Sequence, residues 1–462
     1  MKIENHTAIK TIAYKVVQEA CKNKTNFLVL ILLNLFLIFF PFLLKSDGTL
    51  VGKIQIFLNY GLLLTSAVLY LCTLFFTSSS LASEIKQKQI YLIDVKPVQR
   101  HEFIIGKFLG VALLNLIFLS ITGAVLLGTI EVLKTTATSQ EDVKEIQEKF
   151  LRVYQSKTPF INTVQQQMQM EKEFERLKKL GQLPNEPEPL IKEKILEEIQ
   201  ELSRLVPAGM VKEWTFYNIP ETLVQEDKNL MLKYKVFTSV GNPDKILKTT
   251  WQIGRGSNRF IYESETQVGE MVSFSFPSYT IEKNGTLFIR FTHKNNSDGM
   301  IYFPKNEGLT IYYPVGNFYI NYAKTLSCIY LMSCFIIALC LFGCTFLNFP
   351  VAVFLTLVVL FIASMAGFLQ ELVPMAKNLT QEKTIIESIF LVLSDLSLKI
   401  SLVLIPTFTG CVPLDNLFTG MYISIDYMIT NLLYLGIFRI CSFLFLSCLI
   451  FSYRELGRPI DK

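Results

Sequence analysis

The sequence has few charged residues and few of the groups that usually carry chemistry. Of its 462 residues, 18% are charged, against about a quarter in soluble proteins, and only 3 are histidines. It contains no G-x-x-x-x-G-K-[ST] phosphate loop, no H-E-x-x-H motif and no G-x-S-x-G motif. The formal net charge of +5 is small and spread along the chain, so it does not indicate a nucleic-acid partner. We therefore expect no catalytic site, no metal site and no bound cofactor in this chain.

Cysteine is missing from the longest polar segment. Nine cysteines occur in the chain, but none lies between residues 132 and 322, and no C-x-x-C pair is present. Seven lie within or beside apolar runs, where cysteine serves as a small apolar side chain. The polar segment is therefore expected to fold without disulfides.

Long apolar runs are abundant instead. A membrane-spanning helix needs about 20 mostly apolar residues. Six runs meet this requirement: residues 26–44, 54–76, 108–130, 326–346, 351–369 and 427–451. A seventh stretch, 385–405, contains Glu387, Asp395 and Lys399. Because charges inside a membrane are costly, we expect this stretch to lie in the interface.

Lysine and arginine near the ends of the runs set the orientation. They are frequent in the N-terminal tail, between runs two and three, and in the C-terminal tail. The positive-inside rule then places both termini in the cytoplasm and residues 131–325 outside a cell (inner) membrane. Residues 8–22 carry Ile9, Ile12 and Val16 at helical spacing among lysines, which is typical of a helix lying on the membrane surface.

The segment 131–325 is expected to form an extracytoplasmic domain of two parts. Residues 140–206 have helical periodicity interrupted by prolines, which predicts a helical hairpin. From residue 207 to 318 the period changes to two, which predicts an antiparallel β-sandwich with a tight hairpin at Asn284-Gly285. His293 is interpreted as a surface residue. Three aromatic residues are expected in the core and not in a sugar-binding platform: Trp251, Tyr262 and Tyr279.

Residues 78–107 carry the most informative pattern. A Ser-Glu-Ile element follows run two, an aliphatic pair comes next, and Lys-Pro-Val, Arg and Gly-Lys precede or open run three. The positions are Ser83, Glu84, Ile85, Leu92, Ile93, Lys96, Pro97, Val98, Arg100, Gly106 and Lys107. This loop resembles the intracellular coupling loop of type-2 ABC transporter permeases. It departs from that family at Lys86, Lys88 and Gln89, where an acidic residue, a glycine and a threonine are common.

The resemblance implies a polytopic α-helical membrane protein with six transmembrane helices, an interfacial helix and an inserted extracytoplasmic α+β domain. Residues 1–130 would hold an elbow helix and spans one to three, and residues 326–462 would hold spans four to six. The chain would be the permease subunit of an ATP-driven exporter. Its partners would be an ABC ATPase subunit, which binds the ATP, the lipid bilayer, and a second permease copy, identical or homologous.

Each residue of the predicted coupling site has an assigned part. Glu84 and Arg100 would offer charged contacts to the ATPase, and Lys96 belongs to the Lys-Pro-Val element. Pro97 would end the loop helix and fix the turn into span three. The apolar anchors would be Tyr91, Leu92 and Ile93.

Two other functions are compatible with the sequence. The chain could be a membrane-anchored sensor or scaffold that transports nothing and has no ATPase partner. It could also be a mechanotransmission subunit, which uses ATP to move its extracytoplasmic domain and passes no substrate.

Overall fold

The structure is a computed structural model in which the chain divides into two units. Residues 1–153 and 316–462 form an apolar unit, and residues 154–315 form an inserted unit. The parts of the chain that the structure describes are residues 5–22, 24–45, 49–86, 99–136, 146, 151–184, 188–207, 209–225, 228–239, 246–256, 258–293, 299–305, 308–379, 396 and 406–453.

The apolar unit is built from long helices. They are α1 (Asn5–Lys22), α2 (Lys24–Leu43), α3 (Leu50–Lys86), α4 (Arg100–Thr135), α8 (Phe318–Phe346), α9 (Phe349–Leu379), α10 (Phe408–Cys411), α11 (Leu414–Phe418), α12 (Ile425–Asn431) and α13 (Cys441–Tyr453). A π-helical stretch, Leu432–Ile440, joins α12 to α13.

Five of these helices are long and apolar enough to cross a membrane. They are residues 50–84, 100–135, 318–346, 349–368 and 425–453. Residues 8–22 and 27–43 of α1 and α2 meet at 66° and make a sixth candidate if the bent pair is counted as one span. The predicted apolar runs therefore coincide with helices. Of the stretch 385–405, all but Leu396 lies outside the described residues.

Helix α8 is the most deeply buried of these candidate spans and contacts α3, α4 and α13. Polar side chains join its neighbours where apolar packing alone would leave a hydroxyl or amide unsatisfied. Thr73 of α3 donates to Asn115 of α4 (3.1 Å), and Tyr322 of α8 donates to the Gly123 carbonyl of α4 (2.9 Å). Asn115 therefore joins α4 to α3.

The short helices after residue 406 are held against α8 by polar contacts. Asn321 accepts from the Ile423 amide (2.9 Å) and donates to the Met421 carbonyl (2.7 Å). Lys324 donates to the Ile423 carbonyl (2.6 Å), and Asn431 donates to the Cys411 carbonyl (3.2 Å). These bonds satisfy backbone groups that the regular helices cannot reach.

The inserted unit contains a helical hairpin, as its sequence predicts, but the hairpin is shorter than the predicted range 140–206, because Arg152–Lys157 and Leu205–Val206 are strands. Helix α5 spans Thr163–Lys179 and α6 spans Glu188–Leu202. Between them lies a small core of seven apolar residues: Met170, Phe174, Leu177, Leu183, Ile191, Ile195 and Ile199. A second group of apolar side chains on α5, Val164 and Met168, is exposed.

The rest of the inserted unit is formed by strands. They are β1 (Arg152–Lys157), β2 (Leu205–Val206), β3 (Val211–Phe216), β4 (Leu230–Lys235), β5 (Phe237–Thr238), β6 (Ile246–Ile253), β7 (Phe260–Gln267), β8 (Met271–Phe276), β9 (Leu287–His293), β10 (Ile301–Tyr302) and β11 (Leu309–Asn317), with one short helix, α7 (Thr222–Gln225). The sheet orders are β1-β11-β4-β8, β2-β10-β5 and β3-β9-β6-β7.

The two four-stranded sheets share one apolar core. Trp251 of β6 is fully buried, and its ring lies 4.6 Å from Tyr234 of β4 and 4.8 Å from Phe291 of β9, centroid to centroid. Tyr262 stacks on Phe274 at 3.9 Å. Trp251 is therefore a core residue, as expected. Tyr262 is half-buried against that core, whereas Tyr279, also expected in the core, is exposed.

Two further expectations about this unit are wrong. His293 is buried, because it continues the inward-facing series Leu287, Ile289 and Phe291 of β9. Asn284-Gly285 forms a turn, in which Gly285 has a φ of +69°, but it does not join a hairpin. Strand β8 before it pairs with β4, whereas β9 after it pairs with β3 and β6 in another sheet.

Candidate functional site

The predicted coupling site comprises the end of α3, the start of α4 and the chain between them. Helix α3 ends at Lys86, and α4 begins at Arg100. The structure describes Glu84 and Arg100, which lie on either side of residues 87–98. The other predicted site residues fall outside the described residues: Tyr91, Leu92, Ile93, Lys96 and Pro97.

Glu84 lies in the last turn of α3 and is only 6% exposed. Its Oε2 is 2.9 Å from Nζ of Lys107 in α4, which is 2% exposed, and its Oε1 is 3.4 Å from Nζ of Lys15 in α1. Lys107 also donates to Oγ of Ser80, one turn earlier in α3 (2.7 Å). We name Lys15, Ser80, Glu84 and Lys107 the Glu84 cluster. One carboxylate thus connects three helices.

The two lysines of this cluster differ in environment. Lys107 is buried, lies 5.7 Å from the centre of the Phe103 ring and is paired with the Glu84 carboxylate. The Lys15 side chain is 57% exposed and also lies 3.5 Å from Glu19. Burial alone would lower the pKa of Lys15, but the two carboxylates outweigh it and hold the pKa above its usual value. The Lys107 pair is the stronger connection, because water screens the Lys15 pair.

Helix α1 crosses α4 at two glycines, where the backbones approach closely. A Cβ added at Gly106 would lie 2.8 Å from Cβ of Ile12, and one at Gly110 would lie 2.7 Å from Cβ of Val16. Both distances are far below an ordinary contact between carbon atoms. The apolar face predicted for residues 8–22 therefore packs on α4 in the structure.

The start of α4 is also joined to the end of α13. The Arg100 guanidinium donates to the carbonyls of Ser452 (3.2 Å) and Phe451 (3.4 Å), which lie in the last turn of α13. Such carbonyls lack partners within their own helix, and a cation beside them is favourable. The Phe103 ring stacks on Phe451, with centroids 5.9 Å apart. Glu102 closes the first turn of α4 by accepting from the Gln99 amide (3.0 Å).

The sequence analysis did not predict the contacts that Glu84 and Arg100 make within the chain. Glu84 and Arg100 were assigned to contacts with an ATPase, and the structure engages both side chains within the chain. Lys15 and the partner role of Lys107 were missed. A lysine at the start of an apolar run could have indicated such a pair, because an ionisable group there requires a partner.

The side-chain contacts of this region connect neighbouring helices. Four helices, α1, α3, α4 and α13, are joined around the two ends of residues 87–98. Among the described residues, no group of three or more histidine, cysteine, aspartate or glutamate side chains is placed to hold a metal ion.

Comparison with known proteins yields no relative: no protein-family model, no curated protein and no solved structure matches the chain.

Proposed function

We propose that the chain is the membrane-embedded permease subunit of an ATP-driven ABC exporter. In this proposal, α2 and the five long apolar helices cross a cell membrane, and α1 lies along its surface. Residues 78–107 face the cytoplasm and contact a separate ATPase, which binds and hydrolyses the ATP, and the inserted unit lies on the opposite side. A second permease copy completes the transporter.

The membrane part of the proposal is supported by the surface of the apolar unit. Large apolar side chains are exposed along α2, α9 and α12–α13, including Phe42 (78%) and Phe361 (68%). A water-soluble protein seldom exposes such a continuous apolar surface. The lysines and arginines before α2, between α3 and α4 and after α13 support a cytoplasmic location for those regions.

The Glu84 cluster carries the functional part of the proposal. A protein driven by an external ATPase must convert a push on a short cytoplasmic segment into a movement of membrane helices. If residues 87–98 transmitted no force, a buried ion pair between the helix ends beside them would have no mechanical role. Lys107 with Glu84, and Arg100 with the end of α13, provide that rigid connection.

Co-purification tests the proposal directly. The tagged full-length chain is expected to bring down a nucleotide-binding subunit from its native membrane, and the permease should stimulate the ATPase activity of that subunit. The variant Glu84→Lys is expected to lower the stimulation at least ten-fold, because it places three ammonium groups together. The charge swap Glu84→Lys/Lys107→Glu is expected to restore part of it.

The matched control is Glu263→Lys, a charge reversal of a glutamate in strand β7 of the inserted unit. It should leave the stimulation unchanged. If the wild-type chain retains no ATPase, the transporter proposal fails and the sensor or scaffold function is favoured instead. If Glu84→Lys binds the ATPase and is stimulated like the wild type, the coupling role of the Glu84 cluster is wrong.

A further inference from the structure

The outward face of α1 is polar and basic. Its apolar face is occupied by Gly106 and Gly110 of α4, so it is not available to lipid. The opposite face carries exposed residues about one helical turn apart: Lys10, Tyr14, Gln18, Cys21 and Lys22. Tyr14 is 65% exposed. An amphipathic tyrosine among lysines is the composition found at the level of lipid headgroups.

This basic face continues into an apolar one. Lys24 opens α2 and is exposed. The exposed residues that follow it on α2 are large and apolar: Phe27 (60%), Leu28 (57%), Ile31 (52%), Leu32 (55%) and Leu35 (50%). The bend of 66° between α1 and α2 thus separates a basic surface from an apolar one. A phospholipid has the same division between its headgroup and its acyl chains.

The three lysines on this surface are available to an anion. Lys10, Lys22 and Lys24 have no carboxylate within ion-pair distance among the described residues, whereas Lys15 is engaged by Glu84 and Glu19. Lys22 lies in the last turn of α1, where a cation is favourable beside the carbonyl end of the helix.

We propose that Lys10, Lys22 and Lys24, with Tyr14, bind the headgroups of anionic phospholipids while the exposed face of α2 contacts their acyl chains. Each lysine near an anionic membrane surface contributes about 1 kcal/mol, or about a five-fold preference. The three together would select anionic lipid at the α1–α2 bend and hold α1 at the surface through its basic face. This inference needs the membrane embedding of the proposed function but not its ATPase.

Displacement of a labelled lipid tests the inference. The full-length chain, with Cys72→Ala, Cys441→Ser and Cys448→Ala, carries a fluorophore on the exposed Cys21. It is placed in nanodiscs of phosphatidylcholine that contain a headgroup nitroxide phosphatidylcholine, which quenches the fluorophore. Added phosphatidylglycerol is expected to displace the quencher and restore the emission. In the triple variant Lys10→Gln/Lys22→Gln/Lys24→Gln, the preference for phosphatidylglycerol over phosphatidylcholine is expected to be weaker by at least about ten-fold.

The control variant is Lys172→Gln/Lys178→Gln/Lys179→Gln, which makes the same charge change on exposed positions of α5. It should behave like the unsubstituted chain. Equal displacement in the two triple variants would overturn the inference. So would displacement by free inorganic phosphate as effective as that by phosphatidylglycerol, because the site would then take a soluble anion. Selective displacement in a chain that binds no ATPase would support the lipid site and refute only the transporter proposal.

Discussion

The two units of the chain distribute apolar and charged residues in opposite ways. The apolar unit buries Glu84 and Lys107 and exposes Phe42 and Phe361. The inserted unit buries Trp251 fully and exposes its lysines and glutamates, such as the Lys248–Glu265 pair at 3.2 Å. All nine cysteines belong to the apolar unit and both tryptophans to the inserted one. Each unit buries the side chains that its surroundings do not solvate. This is expected if the apolar unit lies in lipid and the inserted unit in water.

The difference has a practical use. Because the only two tryptophans are Trp214 and Trp251, tryptophan fluorescence of the full-length chain reports on the inserted unit alone. Circular dichroism of the helices reports mainly on the apolar unit. The stability of the two units can therefore be followed separately in the same detergent-solubilised sample.

Loss of Trp251 should have the largest effect. Trp251→Ala removes a ring that is fully buried and packed against Tyr234 and Phe291. The inserted unit should lose about 4 kcal/mol of unfolding free energy, measured by urea titration with Trp214 fluorescence. Tyr279→Ala, at an exposed position, should change it by less than about 0.5 kcal/mol. A loss below 1 kcal/mol for Trp251→Ala would contradict the packing described for this core.

Loss of Lys107 should have the largest effect in the apolar unit. Lys107→Met leaves the Glu84 carboxylate buried beside a single, exposed lysine, which should cost about 3 kcal/mol. The measurement is thermal unfolding followed by helical circular dichroism. Replacing both partners, in Glu84→Leu/Lys107→Met, should recover most of the loss. If the double variant is as unstable as Lys107→Met, the ion pair is not the cause.

The crossing of α1 and α4 can be tested with two glycines of one helix. Gly110→Ala brings a methyl group to 2.7 Å from Val16 and should lower the stability of the apolar unit by about 1 to 3 kcal/mol. At Gly128 an added Cβ meets no atom within 4 Å, so Gly128→Ala should be neutral or stabilising by up to about 1 kcal/mol. Equal effects at both positions would show that α1 does not pack as described.

The smallest expected effect concerns His293. Neither ring nitrogen of this buried side chain has a hydrogen-bond partner among the described residues. An apolar replacement removes that penalty, so His293→Leu should raise the stability of the inserted unit by up to about 1 kcal/mol. Urea unfolding followed by tryptophan fluorescence measures it. A large destabilisation would mean that the imidazole has a partner that the described residues do not include.

The regular elements of both units were predictable because their side chains repeat. Apolar runs of about 20 residues predicted the long helices, and alternation predicted the strands between residues 207 and 318 in general. Strand β7 was missed because its sequence, FIYESETQ, places Ser264 and Thr266 where apolar residues would mark a core face. Extending the alternation of β9 by one more step would have predicted that His293 is buried.

The contacts of the candidate site could not be predicted. Glu84 and Lys107 are 23 residues apart, and only the packing of α3 against α4 brings them together. The same holds for Arg100, whose partners in α13 are about 350 residues away. Sequence patterns report which face of a helix is apolar, whereas pairing between helices depends on their crossing geometry.

The central claim is that residues 78–107 face the cytoplasm while the inserted unit lies outside. Cysteines introduced singly by Lys96→Cys and Lys248→Cys, in a chain with Cys21→Ser and Cys441→Ser, test it with a membrane-impermeant maleimide. We predict that intact cells label only the Lys248→Cys variant, whose lysine is exposed in the inserted unit, and that Lys96→Cys reacts only after permeabilisation. Labelling of Lys96→Cys in intact cells would contradict the topology and, with it, the coupling role of the Glu84 cluster.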